Sequence, residues 1–181
     1  MQARNAGAVV VTGAVVFALS AASLLAQADT AKTKPACTIT GTVRADTLNG
    51  TPGPDVICGW RGADQIYGKG GNDIIFAGPG IDLVDGSYGA DTIRGGPGPD
   101  EVFGAQGRDV LYGGPGEDDL RGGPDRDRLL GGGGDDVCLN ATDGHPGDRV
   151  NGGPGSDRAD RDTGDHLTSV EEVTPLVCFG G

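Results

Sequence analysis

The sequence predicts an all-β fold, a parallel β-roll wound from nine-residue repeats. Three observations predict it. An aspartate recurs every nine residues, at Asp46, Asp55, Asp64, Asp73, Asp82, Asp91, Asp100, Asp109, Asp118, Asp127 and Asp136. Two residues after each aspartate stands an apolar side chain: Leu48, Ile57, Ile66, Ile75, Val84, Ile93, Val102, Leu111, Leu120, Leu129 and Cys138. Glycine stands two residues before nearly every aspartate, in a chain with 36 Gly and 11 Pro among 181 residues. A fixed short period means a repeat solenoid, and one carboxylate per repeat means one ligand presented again and again. Without the period, such a glycine and proline content would indicate disorder.

Residues 1–28 read as an export signal. Arg4 supplies the positive start, Val9 to Leu25 is mostly apolar, and Ala26-Gln27-Ala28 is a small-x-small cleavage site. An uncleaved anchor is the alternative, because the apolar stretch is near spanning length. Cleavage after Ala28 makes the chain a secreted, extracellular protein of bacterial type. It also removes Arg4 and no acid, taking the formal net charge from −12 to −13. Nucleic acid and anionic membranes are then poor partners, and cations are good ones.

Residues 29–36 form a short polar linker, and the repeat region is expected over 37–166. Its register is G-x-x-G-x-D-x-U-x, with U apolar. GGPGPDEVF (95–103) and GGPGEDDLR (113–121) are the fullest copies. Arg44 and Asp125 replace glycine at the fourth position of their copies. After Leu139 the register slips by three residues, so that Asp148 and then Asp157 carry the aspartate position. Nine residues further stands His166, where the ladder is expected to stop. Residues 167–181 are expected to cap the final coil, since terminal repeats of solenoids are commonly atypical.

Cys37, Cys58, Cys138 and Cys178 all lie in the exported part. An even count in an oxidising compartment favours disulfides, with three connectivities open. The expected pairs are Cys37–Cys58 and Cys138–Cys178, one staple at each end of the array.

Each x-U-x triplet suits a very short strand that sends U inward and its neighbours outward. The six residues before it must reverse the chain, which glycine and proline permit. Two repeats then make one flattened coil, and coils stack at about 4.8 Å. Loops two repeats apart lie over one another. One column holds Asp46, Asp64, Asp82, Asp100, Asp118 and Asp136; the other holds Asp55, Asp73, Asp91, Asp109 and Asp127. Stacked carboxylates at about 4.8 Å repel by roughly 1 kcal/mol in water and by several at lower dielectric. A divalent cation between loops reverses that sign. Calcium, with oxygen ligands at about 2.3–2.6 Å, fits better than magnesium, which is smaller and holds its waters.

The G-G-x-G-x-D-x-U-x unit resembles the RTX, or haemolysin-type, calcium-binding nonapeptide, and the resemblance covers nearly all of residues 41–160. It implies a right-handed parallel β-roll with Ca2+ between the turns. It also implies that the aspartate at each sixth position is a side-chain calcium ligand. The gaps within the two columns then allow about nine ions at most, and Asp148 and Asp157 add to the ligand set. Many proteins with this repeat leave the cell through a C-terminal signal, whereas this chain carries an N-terminal one.

Other chemistries find little support. Asp160, Asp162 and Glu171 have EF-hand spacing, but Asp165 stands where that loop requires glycine. There is no H-E-x-x-H zinc motif and no G-x-S-x-G nucleophile, so a non-enzymatic protein is expected. A role beside a secreted hydrolase and an adhesive role are the alternatives. Adhesion draws on the outward strand positions Val56, Cys58, Ile74, Phe76, Thr92, Arg94, Val110, Tyr112, Arg128 and Leu130. They are more apolar than Thr47, Asn49, Gln65, Tyr67, Leu83, Asp85, Glu101, Phe103, Asp119, Arg121, Val137 and Leu139 on the opposite side. The first set is a candidate face for self-association or a cell-surface partner.

Overall fold

A computed structural model describes residues 36–141, 144–161 and 163–173. The expected export signal, all of the linker but Ala36, and Cys178 lie outside the described residues. Strands follow the nine-residue period: β1 (Ile39–Thr40), β2 (Thr47–Asn49), β3 (Val56–Cys58), β4 (Gln65–Tyr67), β5 (Ile74–Phe76), β6 (Leu83–Asp85), β7 (Thr92–Arg94) and β8 (Glu101–Phe103). They continue with β9 (Val110–Pro115), β10 (Asp119–Arg121), β11 (Arg128–Gly133), β12 (Cys138–Ala141), β13 (Arg149–Asn151), β14 (Arg158–Arg161), β15 (His166–Thr168) and β16 (Glu172–Val173). No described residue is helical.

Odd-numbered strands form one parallel sheet and even-numbered strands the other, each in chain order. Glycine turns set this topology, because a three-residue strand has no room to pair within its own coil. Its hydrogen bonds run to the next coil instead, as Gly59 N–H to Phe76 O at 2.8 Å and Gly68 N–H to Asp85 O at 2.8 Å. The centre of each strand faces the opposite sheet. Ile57, Ile75, Ile93, Leu111 and Leu129 from one side meet Ile66, Val84, Val102, Leu120 and Leu139 from the other, all fully buried. Each such side chain contributes about 1.5–3 kcal/mol through removal from water. The parallel β-roll expected from the period is therefore present.

One inward position departs from the period. Cys138 was expected inside, with Val137 and Leu139 outside. Instead Leu139 pairs with Leu120 and fills the core, while Cys138 stands beside Asp119. One extra residue follows Asp136: Val137 donates its N–H to Asp118 O at 3.1 Å and is left 48% exposed. Leucine buries more apolar surface than cysteine, which favours the shift. Cys138 is indeed disulfide-bonded, though its expected partner Cys178 lies outside the described residues. At the other end the expected Cys37–Cys58 bond is present.

On the outer faces, Arg94 lies 5.8 Å from the ring centre of Phe76 and 4.5 Å from that of Tyr112. On the other sheet Arg121 covers Phe103 at 5.1 Å and pairs with Asp119 at 2.7 Å. Cations thus shield much of the outward aromatic surface.

Candidate metal centre

Every ladder aspartate except Asp136, which Val137 separates from β12, closes a turn immediately before its strand. Its backbone carbonyl accepts from the strand of the next coil, as Gln65 N–H to Asp46 O and Ile74 N–H to Asp55 O, both 2.9 Å. Its side chain reaches the other way. Oδ1 of Asp64 accepts the N–H of Asp46 at 2.9 Å. The same bond joins Asp82 to Asp64, Asp100 to Asp82, Asp118 to Asp100 and Asp136 to Asp118. In the second column it joins Asp73 to Asp55, Asp91 to Asp73, Asp109 to Asp91 and Asp127 to Asp109, each at 2.8 Å. Asp148 and Asp157 continue the two columns across the three-residue insertion, accepting from Asp127 at 2.6 Å and from Asp136 at 3.0 Å. All thirteen aspartates singled out by spacing thus stand in two columns.

The second carboxylate oxygen has a different fate. Oδ2 of Asp64, Asp73, Asp82, Asp91, Asp100, Asp109, Asp118, Asp136 and Asp157 is buried with no hydrogen-bond donor. None of these residues is more than 3% exposed. An ionised oxygen left in this state is costly unless a proton or a cation neutralises it. Burial accordingly pushes the Asp100 carboxyl up to about 8 and those of Asp91 and Asp136 up to about 7. Asp82, Asp109 and Asp118 rise to about 6 for the same reason. In each, the backbone N–H on Oδ1 offsets part of the effect.

Glycine at the first turn position makes room for this oxygen. A Cβ on Gly59 would lie 2.5 Å from Asp64 Oδ2 and 2.6 Å from the carbonyl oxygen of Ala77 in the next coil. Gly68 stands in the same relation to Asp73 Oδ2 and the Gly86 carbonyl, both at 2.6 Å. Each such cradle thus brings one carboxylate oxygen and one main-chain oxygen around a space without a side chain. Among the described residues, no three His, Cys, Asp or Glu side chains converge on one point. Such a donor set, one carboxylate with backbone carbonyls, suits a hard cation with oxygen ligands and does not suit zinc.

Two departures in the sequence turn out differently. Asp125 adopts the left-handed φ of 89° that glycine takes at the same place in other turns, such as 131° at Gly89 and 130° at Gly107. Its loop therefore keeps its shape, and Asp127 keeps its ladder bond. Arg44 does not adopt that conformation, and its turn is built otherwise.

Period-based reading missed the far end of both columns. Asp165, not His166, follows Asp148: its Oδ1 accepts the N–H groups of Gly147 and Asp148 at 2.9 and 3.1 Å. Glu171 follows Asp157, whose N–H it accepts at 2.7 Å. The ladder does not stop before His166, because one residue fewer in that turn moves the carboxylate forward. Asp165 standing directly before a strand-forming triplet was the available signal.

A family model of the RTX calcium-binding nonapeptide repeat matches residues 40–75, 76–111 and 112–139. No match was found among individual curated proteins. The family match spans more than half of the sequence and coincides with the coils whose aspartates form the two columns. The chain belongs to the RTX calcium-binding nonapeptide repeat family.

Proposed function

We propose that this is a secreted, non-catalytic calcium-binding protein whose roll folds as it takes up Ca2+ between stacked turns. The columns of buried carboxylate oxygens without donors carry the reading. Asp64, Asp82, Asp100, Asp118, Asp136 and Asp157 would hold ions in one column. Asp73, Asp91, Asp109, Asp127 and Asp148 would hold them in the other. Asp46 and Asp55 occupy the same positions in the first coil. Bound calcium supplies positive charge where stacked carboxylates otherwise repel. The chain's part is to hold one oxygen of each aspartate on the neighbouring coil's N–H, so that the other faces the cradle.

Unfolded, such an acidic and glycine-rich chain has little apolar surface to drive collapse. Metal affinity then becomes folding free energy. Extracellular calcium modules commonly work at about 10⁻⁴–10⁻³ M, which suits a protein that meets its metal after export. Circular dichroism of the disulfide-intact chain tests this. Calcium should raise the β signal and a chelator should reverse that rise. Identical spectra under both conditions would end the proposal.

A second role rests on the outer face of the odd-numbered sheet. Val56, Ile74, Thr92 and Val110 stand side by side in register, and Ile74 is 42% exposed. A self-association or cell-surface contact there predicts that Ile74→Ser and Val110→Ser alter oligomeric state or surface binding in calcium.

A further inference from the structure

Both turns of the first coil break the rule that leaves Oδ2 without a donor. Thr42 and Thr51 occupy the second position of their repeats, four residues before Asp46 and Asp55. Thr42 donates its N–H and its hydroxyl to Asp46 Oδ2 at 2.6 and 2.9 Å. Thr51 does the same to Asp55 Oδ2 at 2.7 and 2.9 Å. Each hydroxyl also accepts an N–H two residues on, from Arg44 at 3.1 Å and Gly53 at 3.2 Å. Two independent turns therefore make one identical arrangement.

Backbone conformation explains the difference. At the second position of the next two turns, Trp60 and Lys69 adopt φ of 82° and 74°. Left-handed geometry is costly for residues with a Cβ, by about 1–2 kcal/mol. It turns the second-position N–H away from the aspartate in the later coils, as in Gly78 N–H to Gly95 O and Gly96 N–H to Gly113 O, both 2.8 Å. Neither Thr42 nor Thr51 takes a positive φ, and a β-branched side chain disfavours one. Their N–H groups point inward and fill the coordination that the later turns leave open. Asp55 agrees: hydrogen bonds led by the Thr51 N–H hold its carboxyl below the usual carboxylate range, whereas burial raises that of Asp73 one coil on.

We infer that the metal ladder begins at the second coil, and that the first coil is a metal-independent cap in which Thr42 and Thr51 stand in for calcium. This rests on calcium binding by the later coils. The Cys37–Cys58 bond and the Thr38 hydroxyl, which donates to Asp55 Oδ1 at 3.1 Å, hold the same coil without metal. A preformed end then gives the second coil a surface on which to wind as calcium arrives.

Counting bound calcium by equilibrium dialysis with metal analysis, on the disulfide-intact chain, tests the inference. Asp46→Asn with Asp55→Asn should leave the number of ions as in the unaltered chain, while Asp64→Asn with Asp73→Asn should lower it. Thr42→Gly with Thr51→Gly, which frees both turns to become left-handed, should add up to two ions. Amide exchange in chelator should be slower at Thr42 and Thr51 than at Trp60 and Lys69. An equal loss of ions from both Asp→Asn pairs would overturn the inference, as would uniform exchange across the four amides. No calcium bound by the unaltered chain would instead overturn the proposed function.

Discussion

A ladder aspartate uses its two oxygens for two purposes, and substitution can separate them. Asp100 accepts the Asp82 N–H on Oδ1 and leaves Oδ2 buried without a donor. Asparagine keeps the acceptor and removes the charge, whereas alanine removes both. Asp100→Ala leaves a buried N–H unsatisfied, costing about 1–3 kcal/mol with or without calcium. Asp100→Asn should act with opposite signs in the two conditions. In chelator near pH 8 it relieves a buried carboxylate and raises stability; in saturating calcium it deletes a proposed ligand and lowers it. Thermal melts of both variants in each condition check this. Loss of stability by Asp100→Asn in chelator as well would show that the charge is not a burden in the metal-free roll.

At the scale of one element, β12 shows how a repeat absorbs an insertion. The extra residue after Asp136 is expelled at Val137, and the strand resumes with Leu139 inside. Leu139→Ala should therefore cost about 2–5 kcal/mol, as large-to-small changes in packed cores do. Val137→Ala should stay within about 0.5 kcal/mol, as exposed substitutions do. Urea unfolding in saturating calcium distinguishes them, and equal effects would place both residues on the same side. The period of nine made the other inward positions readable, because an aspartate and an apolar residue at fixed separation locate turn and strand together. At β12 both Cys138 and Leu139 are apolar, and periodicity cannot see a one-residue bulge between them. Asp165 and Glu171 were hidden for a related reason. Their role is set by which N–H they accept, and the chain between rungs has shortened. Thr42 and Thr51 fall at a position that holds Trp60, Lys69, Ser87 and Ala105 elsewhere. Only the backbone conformation shows that they do something different.

Across the whole roll, stacking places each aspartate above another, so on the proposed function protons and calcium compete for the same oxygens. Burial raises the carboxyls of Asp82, Asp91, Asp100, Asp109, Asp118 and Asp136 to between about 6 and 8, from 3.8. The folded state therefore binds more protons than the unfolded chain between those values and about 4. Where the folded state binds more protons, stability rises as pH falls. Chelated protein should thus gain stability as pH falls from about 8 through 6 towards 4, the gain levelling once the unfolded chain also protonates. Calcium should have its largest effect near pH 8 and progressively less below 6, since each ion must displace protons already on the ladder. Melting temperatures in chelator and in calcium, taken at intervals from pH 8 to pH 5, give both curves. They should converge on acidification, the chelated curve climbing and the loaded one falling. A chelated melting temperature that is flat or drops over that range would mean that the buried carboxylates do not destabilise the roll, and that proton release from them is not what calcium binding has to work against.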